Sequence, residues 1–139
     1  MVYDSGPPHP HVKFQPDRLD GVNAITAFDR SGVRVNAQRH ETSVLVPWQG
    51  EVLPWGCDAF ADLNAGHFEQ VLGLKPELVI FGSGDRLRFP AAALIRSLIA
   101  QRIGVETMDT GAACRTYNVL AAEGRAVVAA LLLERAATP

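Results

Sequence analysis

From Val22 to Trp55 the apolar positions recur at short, near-alternate spacing, the period of half-buried strands. Val22–Phe28 alternates, Asp29-Arg30-Ser31-Gly32 signals a turn, and Val33–Val35 continues as a short strand. Ser43–Pro47 is a second strand, Gln49-Gly50 makes a reversal, and Glu51–Trp55 returns, so the region predicts an antiparallel meander. Trp48 and Trp55 bracket this hairpin and are placed to pair across it. The period then lengthens. Phe68, Val71 and Leu72 recur at i, i+3 and i+4 between an N-cap at Asn64 and a stop at Gly73, which predicts a helix over Asn64–Leu72. His67 on that helix reads as a satisfied, partly buried side chain rather than a proton shuttle.

The run Leu78–Phe81 breaks both periods, being continuously apolar between Glu77 and Gly82-Ser83-Gly84-Asp85. Such a run belongs to a strand covered on both faces at the centre of a sheet. After Pro90, Leu94, Ile95, Leu98 and Ile99 form one stripe of an amphipathic helix, Ala91–Arg102, closed by Gly104. Val105–Met108 is the next strand, completing a parallel βαβ unit. A second helix, Ala112–Glu123, is capped by Asp109 or Thr110, turns Ala113, Tyr117, Leu120 and Ala121 inward, and ends at Gly124. Ala126–Leu133 is the final strand. The expected fold is three-layer α/β: a central mixed, mostly parallel sheet with helices, and an N-terminal antiparallel β-meander packed alongside. Residues 1–19, with Pro7, Pro8, Pro10 and Pro16, are expected to be a flexible arm, residues 20–135 a single α/β domain, and the last residues a frayed tail.

Composition narrows the partners. A hydrophobic fraction of 47% with 20% charged residues is that of a globular protein. A net charge of -2 supplies no general attraction for nucleic-acid backbones, and the expectation is of no nucleic-acid partner. Residues 1–77 carry six Lys/Arg against ten Asp/Glu, net -4, whereas residues 78–139 carry seven against five, net +2, every base there being arginine. Cys57 and Cys114 stand in no metal or redox spacing, which fits a reducing, cytoplasmic setting. The longest apolar run, Ala126–Leu133, is too short to span a bilayer, so any membrane contact, such as a peripheral position at the inner membrane, is expected to go through a partner. His9 and His11 flank Pro10 but lack the further ligands a metal site needs; no metal and no cofactor is expected.

Three motifs bear on chemistry. Gly82-Ser83-Gly84-Asp85 lies at the carboxyl end of a strand, where open α/β sheets bind ligands. Asp85 places a negative charge beside any anion, Leu87 occupies the third glycine position of the dinucleotide fingerprint, and Arg86–Pro90 intervenes before the helix, so close packing explains the glycines better than a phosphate site. Asp109-Thr110-Gly111 matches the aspartic protease tripeptide, but it leads into a helix and occurs once. Cys114 sits in the first turn of that helix beside Arg115, where a thiol can be activated, yet no histidine is positioned by the sequence as its base. Tyr117 and Asn118 follow within a turn and read as fasteners of the fold.

The blocks HFEQVLGLKPELVIFGSG and GVETMDTGAACRTYNVLAAEGRAVVAALL resemble the family that includes the mitochondrial NADH dehydrogenase (complex I) assembly factor 3, the adipogenesis-associated protein and many bacterial and archaeal proteins. The resemblance covers roughly Val22–Leu133 and is most specific in Pro76–Gly84 and Met108–Arg125. It implies a three-layer α/β fold whose last strand runs antiparallel to the others, and no enzymatic activity or cofactor. It also implies a protein partner, as the mitochondrial relatives act in assembling complex I at the inner membrane. Gly82, Gly84, Asp109, Thr110, Cys114, Tyr117, Asn118, Glu123 and Arg125 match its pattern. The functional expectation is a non-catalytic adaptor for assembly or maturation of a respiratory or membrane complex, with a ligand or partner surface at Gly82, Ser83, Gly84, Asp85, Arg86, Asp109, Thr110, Cys114, Arg115, Tyr117 and Asn118. The alternative is a small-anion or nucleotide-like ligand protein, or an enzyme, using the Gly82–Gly84 loop, Arg86, Cys114 and Arg115.

Overall fold

The computed structural model describes residues 21–134. The expected arm over residues 1–19, with His9 and His11, and the tail over 135–139 lie outside the described residues.

Strands β1 (Ile25–Asp29), β2 (Gly32–Val35) and β3 (Gln38–His40) form a small antiparallel sheet in that order. Asp29 closes the first turn, its carboxylate accepting from the Ser31 amide at 2.8 Å and hydroxyl at 2.7 Å. Those bonds, helped by Arg39, hold its carboxyl down at about 2. The polar β3 carries no hydrophobic alternation and escaped the sequence pattern; Asn36, at φ 56°, turns the chain back so that Gln38 pairs with Val35.

The main sheet contains β4 (Val44–Pro47), β5 (Leu53–Pro54), β6 (Leu78–Gly82), β7 (Gly104–Met108) and β8 (Val127–Leu131), ordered β5-β4-β8-β6-β7. Two expectations are corrected here. The hairpin of β4 and β5 belongs to this sheet and not to the N-terminal one. The last strand, β8, is parallel to β6 and occupies the middle of the sheet; the strand that runs against its neighbours is β4. A long return through α3 (Thr110–Ala122) lets the final strand insert between β4 and β6, where it is covered completely.

Strand alternation explains why both faces are apolar. Val79 and Phe81 of β6, with Val128 and Ala130 of β8, face α1 (Ala65–Leu72) and α2 (Arg96–Ala100) together with Phe68 and Leu98. Ile80, Ala129 and Leu131 face the other way, against Ala113 and Tyr117 of α3 and Ile25 and Val33 of the small sheet. Trp48 and Trp55 consequently sit on opposite faces and do not pair. Trp55 is fully buried edge-on to Phe68 and Phe81, and its indole N–H donates to His67 O at 2.9 Å. Asn64 and His67 form the predicted cap of α1 reciprocally, each side chain accepting from the other's amide.

The helix expected over Ala91–Arg102 is two pieces, a 3-10 turn at Ala92–Leu94 and the five-residue α2. Leu98 is its buried anchor, and Ile99, assigned to the inner stripe, is 55% exposed because the break at Ile95 rotates the second piece away from the first. Arg102 ends α2 with φ 61°, its amide and that of Ile103 returning to Ile99 O and Leu98 O, the pattern usually closed by glycine.

Candidate functional site

The ends of β6, β7 and β8 are level: Gly82 pairs with Met108 on one side and Leu131 on the other. Beyond them the glycine loop knits the three strand ends together. The Ser83 amide donates to Met108 O at 2.8 Å and the Leu132 amide to Gly82 O at 3.0 Å, extending both ladders. The Gly84 amide donates to Thr110 Oγ1 at 2.8 Å, that hydroxyl donates to Leu132 O at 2.9 Å, and the Thr110 amide returns to Gly84 O at 2.9 Å. Thr110 is therefore the buried stitch between loop, helix and final strand. The Ser83 and Gly84 amides, the first a glycine loop would offer an anion, both point into the protein.

The glycines answer to this packing. A Cβ at Gly82 would stand 2.9 Å from the Thr110 Cα and 3.1 Å from the Ala113 Cβ. Gly84, at φ 104°, is pressed against Arg88 and Glu134, where a Cβ would lie 2.5 Å from the guanidinium. Ser83 is wholly buried; its hydroxyl donates to Arg86 O at 2.7 Å and accepts the Arg88 amide at 2.9 Å, holding the turn.

Arg88 is folded back under the loop. Its guanidinium donates to Ser83 O at 2.6 Å, is ion-paired with Glu134, and lies 4.6 Å from the centre of the Phe60 ring. The second oxygen of Glu134 accepts the Phe60 amide at 2.8 Å. Neither Arg88 nor Glu134 stood out in the sequence. The one available signal was the order Leu87-Arg88-Phe89: in extended chain a charge flanked by apolar residues faces opposite to both.

On α3, Asp109 is the cap, accepting the Ala112 amide at 2.9 Å. Cys114 is buried, and loss of solvent drives its thiol up to about 12 against the smaller opposing pull of Arg115, so the thiolate a nucleophile requires is suppressed. The buried Tyr117 hydroxyl lies 2.9 Å from Asn23 O and 3.2 Å from Pro47 O, and burial raises its pKa as well. The Asn118 carboxamide takes both backbone groups of Ile25, accepting its amide at 2.9 Å and donating to its carbonyl at 2.7 Å. It does for the edge of β1 what another strand would.

The structure thus unites the loop with the start of α3, but Tyr117 and Asn118 turn toward the small sheet. Glu123 and Arg125, which also match the family pattern, are at the opposite end, because α3 runs back along the strands. Arg125 pairs there with Glu77 at 3.0 Å, and the Ala126 amide together with Arg125 lowers the Glu77 pKa. Of the candidates, Asp85, Arg86 and Arg115 are solvent-exposed; Asp85 meets Arg30 of the β1–β2 turn at 3.6 Å across open surface, a weak contact. Phe28, 37% exposed, lies beside Gly111 at the same end. Among the described residues no group of three or more His, Cys, Asp or Glu is placed to hold a metal ion, and no helix is long and apolar enough to cross a membrane.

Residues 25–132, from the Ile25 clamped by Asn118 to the Leu132 stitched by Thr110, match the family described as protein of unknown function (DUF498/DUF598). The chain belongs to this family. It is 32% identical over 111 residues to the bovine (Bos taurus) NADH dehydrogenase [ubiquinone] 1 alpha subcomplex assembly factor 3, an alignment covering 78% of this chain and 59% of that protein. The chain therefore spans just under three fifths of the curated relatives' length. Among solved structures, a Bordetella parapertussis protein is 40% identical, with a TM-score of 0.77 over 81% of this chain and 96% of the other. A Bordetella pertussis protein described as a Mth938-like domain is 32% identical, with a TM-score of 0.77 over 88% and 93%. The three-layer arrangement is thus the family's fold, and the expected kinship with complex I assembly factors holds.

Proposed function

We propose that this protein is a non-catalytic adaptor that assists assembly or maturation of a respiratory or membrane complex, docking on protein subunits from the cytoplasm or at the inner-membrane surface. The observation that carries this reading is the inward commitment of the chemistry-bearing groups. The Ser83 hydroxyl, Thr110 hydroxyl, Tyr117 hydroxyl and Asn118 carboxamide each bond the protein's own backbone, and the Cys114 thiol is buried and held protonated. What the carboxyl end of the sheet offers outward is Asp85, Arg86, Arg115 and the edge of Phe28, a mixed surface suited to contact rather than to bond-breaking. Kinship with an assembly factor supports the same reading.

The test is genetic and biochemical together. A strain lacking the protein should accumulate less of one fully assembled membrane complex on native gels, and the tagged full chain should co-purify with subunits of that complex. Cys114→Ala should restore assembly as the wild type does. Normal assembly in the deletion strain, or a strict need for the thiol, overturns the proposal.

A further inference from the structure

The segment from Arg86 to Arg102 joins two properties that the adaptor reading does not use. Between Asp85 and Glu106 there is no carboxylate, while Arg86, Arg88, Arg96 and Arg102 all fall within it. Glu134 answers Arg88, but Arg86, Arg96 and Arg102 are exposed and have no ion pair among the described residues. The same segment gathers three of the five exposed large apolar side chains among the described residues: Leu87 is 52% exposed, Phe89 70% and Ile99 55%, the other two being Phe28 and Val119.

Their placement is built rather than incidental. Arg88 is anchored inward by Ser83, Glu134 and the Phe60 ring, and its neighbours on either side are thereby turned outward together. Two residues on, Ala91, Ala92 and Ala93 begin the helical pieces with exposed small side chains. Leu98 fixes the inner side of α2, leaving Arg96, Ile99 and Ala100 on the outside. Phe89 and Ala92 are separated by no more than about 11 Å of chain, so the exposed groups of loop and helix start are close neighbours.

We propose that this face rests directly on an anionic phospholipid bilayer, with Leu87, Phe89 and Ile99 entering the headgroup boundary and Arg86, Arg96 and Arg102 meeting lipid phosphates. The charge is complementary to such a surface. The apolar groups stand out from a loop and a helix flanked by alanines, a relief that a deformable bilayer accommodates without a matching cleft. This contact would be direct, in place of the partner-mediated one read from the sequence, and it stands whether or not the adaptor reading does.

Cosedimentation of the full chain with vesicles of phosphatidylcholine alone, and with about one third phosphatidylglycerol, tests it in the absence of any protein partner. The wild type should bind only the anionic vesicles and release as salt is raised. The triple variant Arg86→Gln, Arg96→Gln, Arg102→Gln should lower partitioning by roughly a hundredfold, and Leu87→Ser with Phe89→Ser by at least about tenfold, all with circular dichroism melts like the wild type. No sedimentation, equal binding to neutral vesicles, or unchanged binding by both variants overturns the proposal. So does a result in which vesicles are ignored but Leu87→Ser/Phe89→Ser loses a captured subunit, which would assign the face to a protein.

Discussion

The Cα of Thr110 lies 2.9 Å from where a Cβ would stand on Gly82, and the Thr110 hydroxyl lies 3.0 Å from the same point. A strand end and a helix start are thus in backbone contact, made possible by the absence of one methyl group. Gly82→Ala should cost about 2–3 kcal/mol, near the upper part of the range for overpacking, because Thr110 and Ala113 are held by helix and sheet and cannot withdraw. Urea denaturation measures this, and a cost below about 0.5 kcal/mol would mean that the contact is slack.

Tyr117→Phe removes the donor that reaches Asn23 O and Pro47 O in a buried setting, and should cost about 1–2 kcal/mol. Asn118→Asp keeps an acceptor for the Ile25 amide but sets a carboxylate against the Ile25 carbonyl, so it should destabilise by a similar amount and loosen β1 selectively. Faster amide exchange at Ile25 and Val35, with the β6 amides unchanged in protection relative to global stability, is the expected signature.

Stability should decline in alkali. The folded-state pKa of Cys114 is raised from 9.0 to about 12, so below pH 9 the thiol is protonated in both states and its contribution is intact. Above that pH the unfolded chain releases the proton while the folded one retains it, and stability falls until the pH passes about 12. The raised Tyr117 hydroxyl adds to the fall above its ordinary value of 10. Between pH 9 and 10 the Cys114 contribution to the loss should be on the order of 1 kcal/mol, and Cys114→Ala should remove it, leaving the slope of the Cys57 thiol, which burial also raises. An equally steep fall in the variant would exclude the thiol as the cause.

Glu134→Ala leaves the Arg88 guanidinium without its counter-ion and the Phe60 amide without an acceptor in a mostly covered site. It should cost about 2 kcal/mol. It should also release Leu87 and Phe89 from their fixed display, so that protease cleavage between Arg86 and Phe89 accelerates before global unfolding does.

Arg102 adopts φ 61° where glycine is the ordinary occupant. Arg102→Gly should raise stability by up to about 1 kcal/mol, since relief of the left-handed strain exceeds the added freedom of the unfolded chain. A thermal melt reads this directly; a lower midpoint would show that the arginine stem contributes packing worth more than the strain it carries.

Much of the architecture is local in origin and was therefore legible along the chain. The cap of α1 at Asn64, the stop of α3 at Gly124, the doubly buried β6 and the inward faces of α1 and α3 each follow from a few neighbouring residues, because capping, turn conformation and amphipathic period act within one or two turns. The glycine loop and the start of α3 were likewise flagged by residue type, and they meet.

Other features depend on which segments meet at a distance. Nothing local told the chain that β8 would enter between β4 and β6, that Trp48 and Trp55 would be divided by the sheet, or that Glu134 would reach back to Arg88. Strand order is settled by which apolar faces can be covered simultaneously, and a side chain's role by what the finished packing sets beside it. Thus Cys114, reactive by its position at a helix start, is quiet by burial, and Asn118, one polar residue among many, becomes the partner of a strand edge. The amino-acid order chose the elements; desolvation and long-range contact chose what each polar group among them would do.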